Sequence, residues 1–373
     1  MVSRTVKILL VAALSLVSLF SVQVSLASET PQNEAGVQDA HVKKTINPSE
    51  IIMEHITDGH EFHFFTIGDF HATLPLPVIL YSKERGGWFT FMSSKFHHGH
   101  DAYQGFRLEH GKIIPVLEDG VTVDETAKVY DFSLTRNVVQ MFLALAVLVI
   151  IMTGVAKKYK KNGPKAAPSG LQNMVEPIIT FVRDDVGKTN LGKKYEKYMP
   201  YLLTVFFFIL INNLFGLLPG AANVTGNLAF TAVLALISFV VILFSTNKHF
   251  WGHIFWFPGV PVPVKFLMLP VELMGVFTKP FALMIRLFAN MVAGHVIILS
   301  FIILIFIFGA MNTALGFGTS PLFIGLAVFI YLIEVLVAFI QAYIFTNLTA
   351  VFISQAFEGG HDEHHHEGHE EKH

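Results

Sequence analysis

The chain has 373 residues, of which 53% are hydrophobic and only 14% charged, with 36 phenylalanines and a mean hydropathy of +0.54; these values exclude an ordinary soluble domain and point to a polytopic membrane protein. The formal net charge of −2 excludes little by itself, because the charges are unevenly placed. Cysteine is absent, which removes disulfides, thiolate metal sites and thiol nucleophiles.

Residues 1–27, MVSRTVKILLVAALSLVSLFSVQVSLA, carry Arg4 and Lys7 before an apolar core and end in Ser25-Leu26-Ala27. This order predicts a secretory signal peptide with a small-residue cleavage site, so the chain that follows starts outside the cytoplasm. Residues 28–130 are polar and mixed, with Gly and Pro punctuation, and predict a small strand-containing extracytoplasmic domain with strands over 61–67, 75–81 and 87–92. Nine of the eighteen histidines fall here, including His97, His98 and His100. No pair sits in a recognisable ligand framework, so these are read as solvated surface histidines and neither a metal nor a cofactor is expected.

The first clear span is 134–156, LTRNVVQMFLALAVLVIIMTGVA, followed at once by Lys157, Lys158, Lys160, Lys161 and Lys165. By the positive-inside rule its C-terminal end is cytoplasmic. Between Gly170 and Gly192, Met174, Ile178, Phe181 and Val182 recur at helical spacing and predict an interfacial amphipathic helix. The second span covers 199–219 and the third 227–246. Their connector, PGAANVTG, has no charge and belongs outside, whereas Lys248, His249 and Lys265 mark the next loop as inside; a shallow aromatic run over 250–257 follows.

The last two apolar blocks are overlong. As single helices, 266–310 reaches roughly 68 Å and 321–357 roughly 55 Å, against about 30 Å of hydrocarbon. Strong tilt resolves the mismatch, with Pro270 and Pro280 as permitted kinks and the uncharged MNTALGFGTSP turning the chain outside. The expected fold is therefore all-α, with five crossings, the last two forming a long oblique hairpin, and a cytoplasmic C-terminus. The tail, 358–373, holds six histidines and six acids in sixteen positions and reads as solvated and disordered.

An arginine interrupts the first of these blocks. A guanidinium stays protonated at any cellular pH, and at mid-membrane depth it costs from about 3 to well over 10 kcal/mol. At about 100° per residue, Glu272, Lys279, Arg286 and Asn290 share one face. His295 points about 180° away and lies roughly 13 Å further along the axis, so it serves a different polar environment. No acid in the block lies nearer to Arg286 than Glu272, roughly 21 Å along the helix, which places the arginine's partner on another element or subunit.

The second block carries Glu334, with Gln341 seven residues on and on nearly the same face. Antiparallel pairing brings the outer ends of the two blocks together and sets His295 beside Glu334. Such a pair inside a membrane is a candidate proton relay. Asn290 and Gln341 serve equally as interhelical hydrogen-bonding residues, and Glu272 and Lys279 as interfacial anchors.

The run RLFANMVAGH closely resembles the signature of the a subunit of rotary ATP synthases, the membrane stator facing the proteolipid ring. The resemblance extends over about 130–357, through ILINNLFGLLP, the Glu272-to-Arg286 spacing and the closing FISQAFE. It implies that Arg286 is the essential stator charge between two half-channels, and that His295 and Glu334 form the outer pair. Many bacterial members carry the acid on the first arm and the histidine on the second; here the two are exchanged. Asn213 matches a polar position of the outer channel, and Gly216 stands where some members have an acid, so it is not counted as channel-lining. The resemblance further implies a bacterial inner-membrane location, a c-subunit ring, b-type peripheral stalk subunits and an ATPase head as partners, and no nucleic acid. The sequence has no GxxxxGK[ST], so nucleotide chemistry falls to a partner. A self-contained transporter with an arginine-lined anion site predicts internal repeats, and none is visible.

Overall fold

The computed structural model describes residues 52, 57–67, 70–99, 101–109, 111–117, 119–163, 167–218, 221–246 and 262–358; the side chains at 63–67, 70–72, 98, 262, 263, 265, 267, 268, 272, 357 and 358 are not described. The expected signal peptide, the aromatic run over 250–257 and the tail beyond 358 lie outside the described residues. The chain divides into two compact units, one of residues 1–143, 214–227 and 291–335, the other of 144–213, 228–290 and 336–373.

In the first unit seven strands form in chain order: β1 (Glu61–Ile67), β2 (Phe70–Pro75), β3 (Pro77–Ser82), β4 (Gly87–Met92), β5 (Phe106–Glu109), β6 (Lys112–Pro115) and β7 (Tyr130–Asp131). They pair as β1-β2, β4-β3-β7 and β5-β6, all antiparallel. The strand expected over 75–81 starts at Pro77, because the Leu76 amide is taken up by Ser93 Oγ at 3.0 Å and the His60 carbonyl at 3.3 Å. Alternation along β3 puts Val78, Leu80 and Ser82 on one buried face. That face meets Phe96, Phe106 and Ile113, with Phe89 edge-on to Phe106 at 5.0 Å. Arg85 ties the β5-β6 hairpin to the following loop by donating to the Val116 carbonyl at 2.8 Å and to Asp124 at 2.7 Å, and also to the Gly105 carbonyl.

The chain from Tyr130 to Leu134 runs along β3, with the Phe132 amide on the Ile79 carbonyl at 2.9 Å and the Leu134 amide on the Pro77 carbonyl at 3.3 Å. It leads directly into α1 (Arg136–Asn162). The first helical amides need acceptors, and a distant residue supplies one: Asp58 Oδ1 accepts from the Asn137 amide at 3.2 Å, while the Arg136 amide donates to the Gly59 carbonyl at 2.9 Å. Burial pushes the Asp58 carboxyl up, against the backbone hydrogen bonds from Asn137 and Gly59 and the nearby Arg136 charge. Beside it, His60 Nε2 and Asp131 Oδ2 lie 2.8 Å apart. Lys160 and Lys161 in the last turn of α1 favour the negative end of the helix dipole.

In the second unit α2 (Leu171–Phe181) starts after Gly170, whose φ is 61°, and continues through a π-helical stretch, Val182–Lys188, to Gly192, whose φ is 51°. Both glycines occupy a left-handed region that other residues adopt only with strain. The helix is where the spacing put it. Met174 is exposed, and the buried side chains are Gln172, Val175, Val182 and Val186.

Three further helices account for most of the remaining chain, α3 (Tyr195–Gly216), α4 (Leu228–Ser245) and α5 (Val262–Met311), and a last one follows, α6 (Thr313–Glu358). Among the described residues, five helical segments are long and apolar enough to cross a membrane: Arg136–Asn162, Leu171–Gly216, Leu228–Ser245, Leu269–Met311 and Thr313–Ala356. The uncharged loop expected over 311–321 is not a loop. Only Asn312 interrupts the helices, and its Oδ1 accepts from the Ala314 amide at 2.8 Å as a cap for α6. Glycines allow so abrupt a turn: a Cβ on Gly316 would lie 2.6 Å from the Gly309 Cα.

Candidate functional site

Within the first unit, His295 on α5 has a backbone carbonyl at each ring nitrogen. Nδ1 lies 3.0 Å from the Met291 carbonyl oxygen one turn earlier, and Nε2 lies 3.0 Å from that of Gly216 at the end of α3. Glu334 of α6 brings Oε1 to 3.6 Å from Nδ1, beyond hydrogen-bond length but within ion-pair range. Its side chain is buried, and neither carboxylate oxygen has a hydrogen-bond partner among the described residues. A buried carboxylate with an imidazole neighbour and free lone pairs is chemically suited to accepting and releasing a proton.

The first unit holds further polar contacts. Asn223, in the connector after α3, directs Nδ2 to the same Met291 carbonyl at 3.4 Å and accepts the Gly226 amide at 2.9 Å. Gln140 of α1 accepts the Ala222 amide at 2.7 Å and also donates to the Ala222 carbonyl. Thr225 Oγ1 is buried without a partner among the described residues. The Tyr331 hydroxyl donates to the Leu217 carbonyl at 3.2 Å.

In the second unit, Arg286 sits half-buried on α5 between the fully buried Leu283 and Leu287. Among the described residues none hydrogen-bonds to or ion-pairs with its guanidinium. Asn290, one turn on, donates to Gln341 Oε1 at 2.9 Å, and Gln341 is 2% exposed. Asn213, at 0% exposure, donates to the Ala338 carbonyl at 3.2 Å, and its own Oδ1 has no partner among the described residues. Lys279 donates to Gln355 Oε1 at 2.8 Å and lies over the Phe352 ring at 5.1 Å. Glu272 is helical, but its side chain lies outside the described residues.

The structure joins His295 to Glu334, as antiparallel pairing led one to expect, and Asn290 to Gln341, a pairing that the spacing did not single out. Three contributors were not singled out from the sequence. Gly216, set aside for want of an acid, enters through its carbonyl oxygen; Met291 does the same; Gln355, the glutamine of FISQAFE, accepts from Lys279. Backbone acceptors leave no trace in residue type, whereas Gln355 was visible as a polar residue on the last helix. Among the described residues no group of three or more His, Asp or Glu side chains is arranged to hold a metal ion.

Comparison with known proteins identifies the family. A family model described as ATP synthase A chain matches residues 138–354, and a second, described as a domain of unknown function, matches 51–132. The ATP synthase subunit a of Chloroherpeton thalassium is 47% identical over 243 residues, which is 64% of this chain and 71% of that protein. That of Chlorobium phaeobacteroides is 44% identical over 238 residues, 63% of this chain and 68% of the relative. The ATP synthase subunit a of Pelodictyon phaeoclathratiforme is 37% identical over 351 residues, 93% of this chain and 85% of its own length, a match that takes in most of the residues ahead of α1. With its membrane-spanning residues matched almost throughout, the chain belongs to the ATP synthase A chain family.

Proposed function

We propose that this chain is the proton-translocating stator of a rotary ATP synthase, offering two aqueous half-channels to a c-subunit ring with Arg286 between them. The observation that carries this reading is the His295–Glu334 pair, 3.6 Å apart on two apolar helices with the carboxylate buried. Membrane-embedded ionisable pairs are expensive and are spent on ion pathways. A proton enters from outside past Asn213, Glu334 and His295 and neutralises a ring carboxylate, which then rotates into lipid. On its return the carboxylate meets an inner wedge near Glu272 and Lys279 and ionises. Arg286 favours the ionised carboxylate as it passes and blocks direct leak between the wedges. That it has no partner among the described residues supports a moving counter-ion on another subunit. The driving scale is about 2.3 kcal/mol per charge per 100 mV.

In this reading α5 and α6 form an oblique hairpin against the ring. Residues 1–27 direct export, 28–130 form a periplasmic domain, 131–357 the membrane domain in the bacterial inner membrane, and 358–373 a cytoplasmic tail. The b-type stalk subunits hold the chain to the ATPase head, which performs the nucleotide chemistry. The test is ATP-driven acidification of inverted membrane vesicles carrying Glu334→Gln. Flux should fall by about a hundred-fold, the scale of a lost proton-transfer group; wild-type flux would reduce the pair to a structural contact.

A further inference from the structure

We propose that Gly294 is a positioning residue for Glu334, its missing side chain providing the space through which the carboxylate reaches His295. The inference rests on the relay reading above. Glycine is an unfavourable residue inside a helix, and Gly294 lies well within α5 at a φ that any residue adopts. Its backbone conformation therefore gives no reason for it; its surroundings do. A Cβ built on Gly294 would lie 1.6 Å from Glu334 Oε1, 2.5 Å from its Cδ and 2.9 Å from its Cγ. The carboxylate occupies the volume that any other residue would fill.

The three nearest atoms all belong to the Glu334 side chain, none to backbone. An added methyl group therefore leaves the two helices free to stay in place, while the end of Glu334 has to move. Nothing resists that movement by hydrogen bonding, since neither oxygen has a partner among the described residues. At Gly316 the collision is with backbone, and the chain itself would have to give. The carboxylate already stands at 3.6 Å from Nδ1, the far edge of ion-pair range. Any displacement away from α5 takes it out of reach of the imidazole, and a misplacement on the order of 1 Å at reacting groups costs up to about a hundred-fold in rate.

The test uses the whole synthase in inverted vesicles, with ATP-driven acidification and the amount of assembled complex measured together. Gly294→Ala should assemble at the wild-type level and pump at least about ten-fold more slowly. Gly294→Ala should also shift the pH profile of pumping, because it separates the carboxylate from the imidazole, whereas a merely structural fault lowers the rate alike at every pH. Wild-type pumping by Gly294→Ala, or slowed pumping with an unshifted pH profile, would overturn the inference. The relay reading is separated by Glu334→Gln in the same assay. Wild-type flux there removes the relay itself, whereas loss there combined with normal flux in Gly294→Ala removes only the role of Gly294.

Discussion

A histidine ring held between two carbonyl oxygens can donate to both only when each nitrogen bears a proton. His295 is held in that way by Met291 and Gly216, with the Glu334 carboxylate as the acid beside it. The pairing of His295 with Glu334 could be read from residue type and spacing. The carbonyls that orient the ring could not, because they depend on where α3 ends, and Gly294 escaped notice because a void has no residue type. Lys279 shows a different limit: helical spacing correctly set it on a polar face, yet its partner is Gln355 of α6, a long-range contact that periodicity within one helix does not report. Outside the apolar helices one residue makes a pH-dependent prediction. Hydrogen bonds from Thr126 and then Arg85 pull the Asp124 carboxyl down from 3.8 to about 2. A depressed carboxylate stabilises the fold above its unfolded pKa and loses that contribution as pH falls through the folded value. The anchoring of the β5-β6 hairpin should therefore weaken between about pH 4 and pH 2. Hydrogen exchange across residues 103–117, corrected for the intrinsic rate, should rise over that window in the wild type and already be raised at neutral pH in Asp124→Asn.

The helices α5 and α6 follow each other with a single residue between them, where composition suggested a loop of about ten. Gly, Asn, Thr and Ser usually mark loops, and here the same residues serve the turn itself: Asn312 caps α6, and Gly309 and Gly316 let the two backbones approach. Pro321 remains inside α6, where a boundary was expected. Three of the seven strands were legible as short runs between Gly and Pro, and the membrane helices from apolar length. The π-helical stretch over Val182–Lys188 was not, since it changes the backbone without a mark in composition. Because the Cβ of an alanine at 316 would meet Gly309 Cα at 2.6 Å, Gly316→Ala should destabilise the chain by about 1–3 kcal/mol, the usual cost of overpacking. A thermal melt of the purified complex reads this as a lower midpoint, with Gly318→Ala, which meets nothing within 4 Å, as the neutral control.

For the whole molecule, the family match covers residues 138–354, while the strands precede it in a region matched by a separate domain of unknown function. Apolar lengths and the lysine run after α1 carried the membrane class and the proposed orientation. One polar signature carried the family. What composition could not provide is the set of inter-helix contacts, since nearly every helix is hydrophobic all round and the choice of neighbour rests on a few buried polar groups such as Asn213, Asn290 and Gln341. The central claim concerns Arg286, a charge that no described residue neutralises. Its most direct test is Arg286→Ala in the assembled synthase, followed by ATP-driven proton pumping into inverted vesicles. The account predicts normal assembly with coupled pumping abolished, because the ring carboxylate loses its counter-ion and the two half-channels their separation. Coupled pumping at the wild-type rate would contradict it.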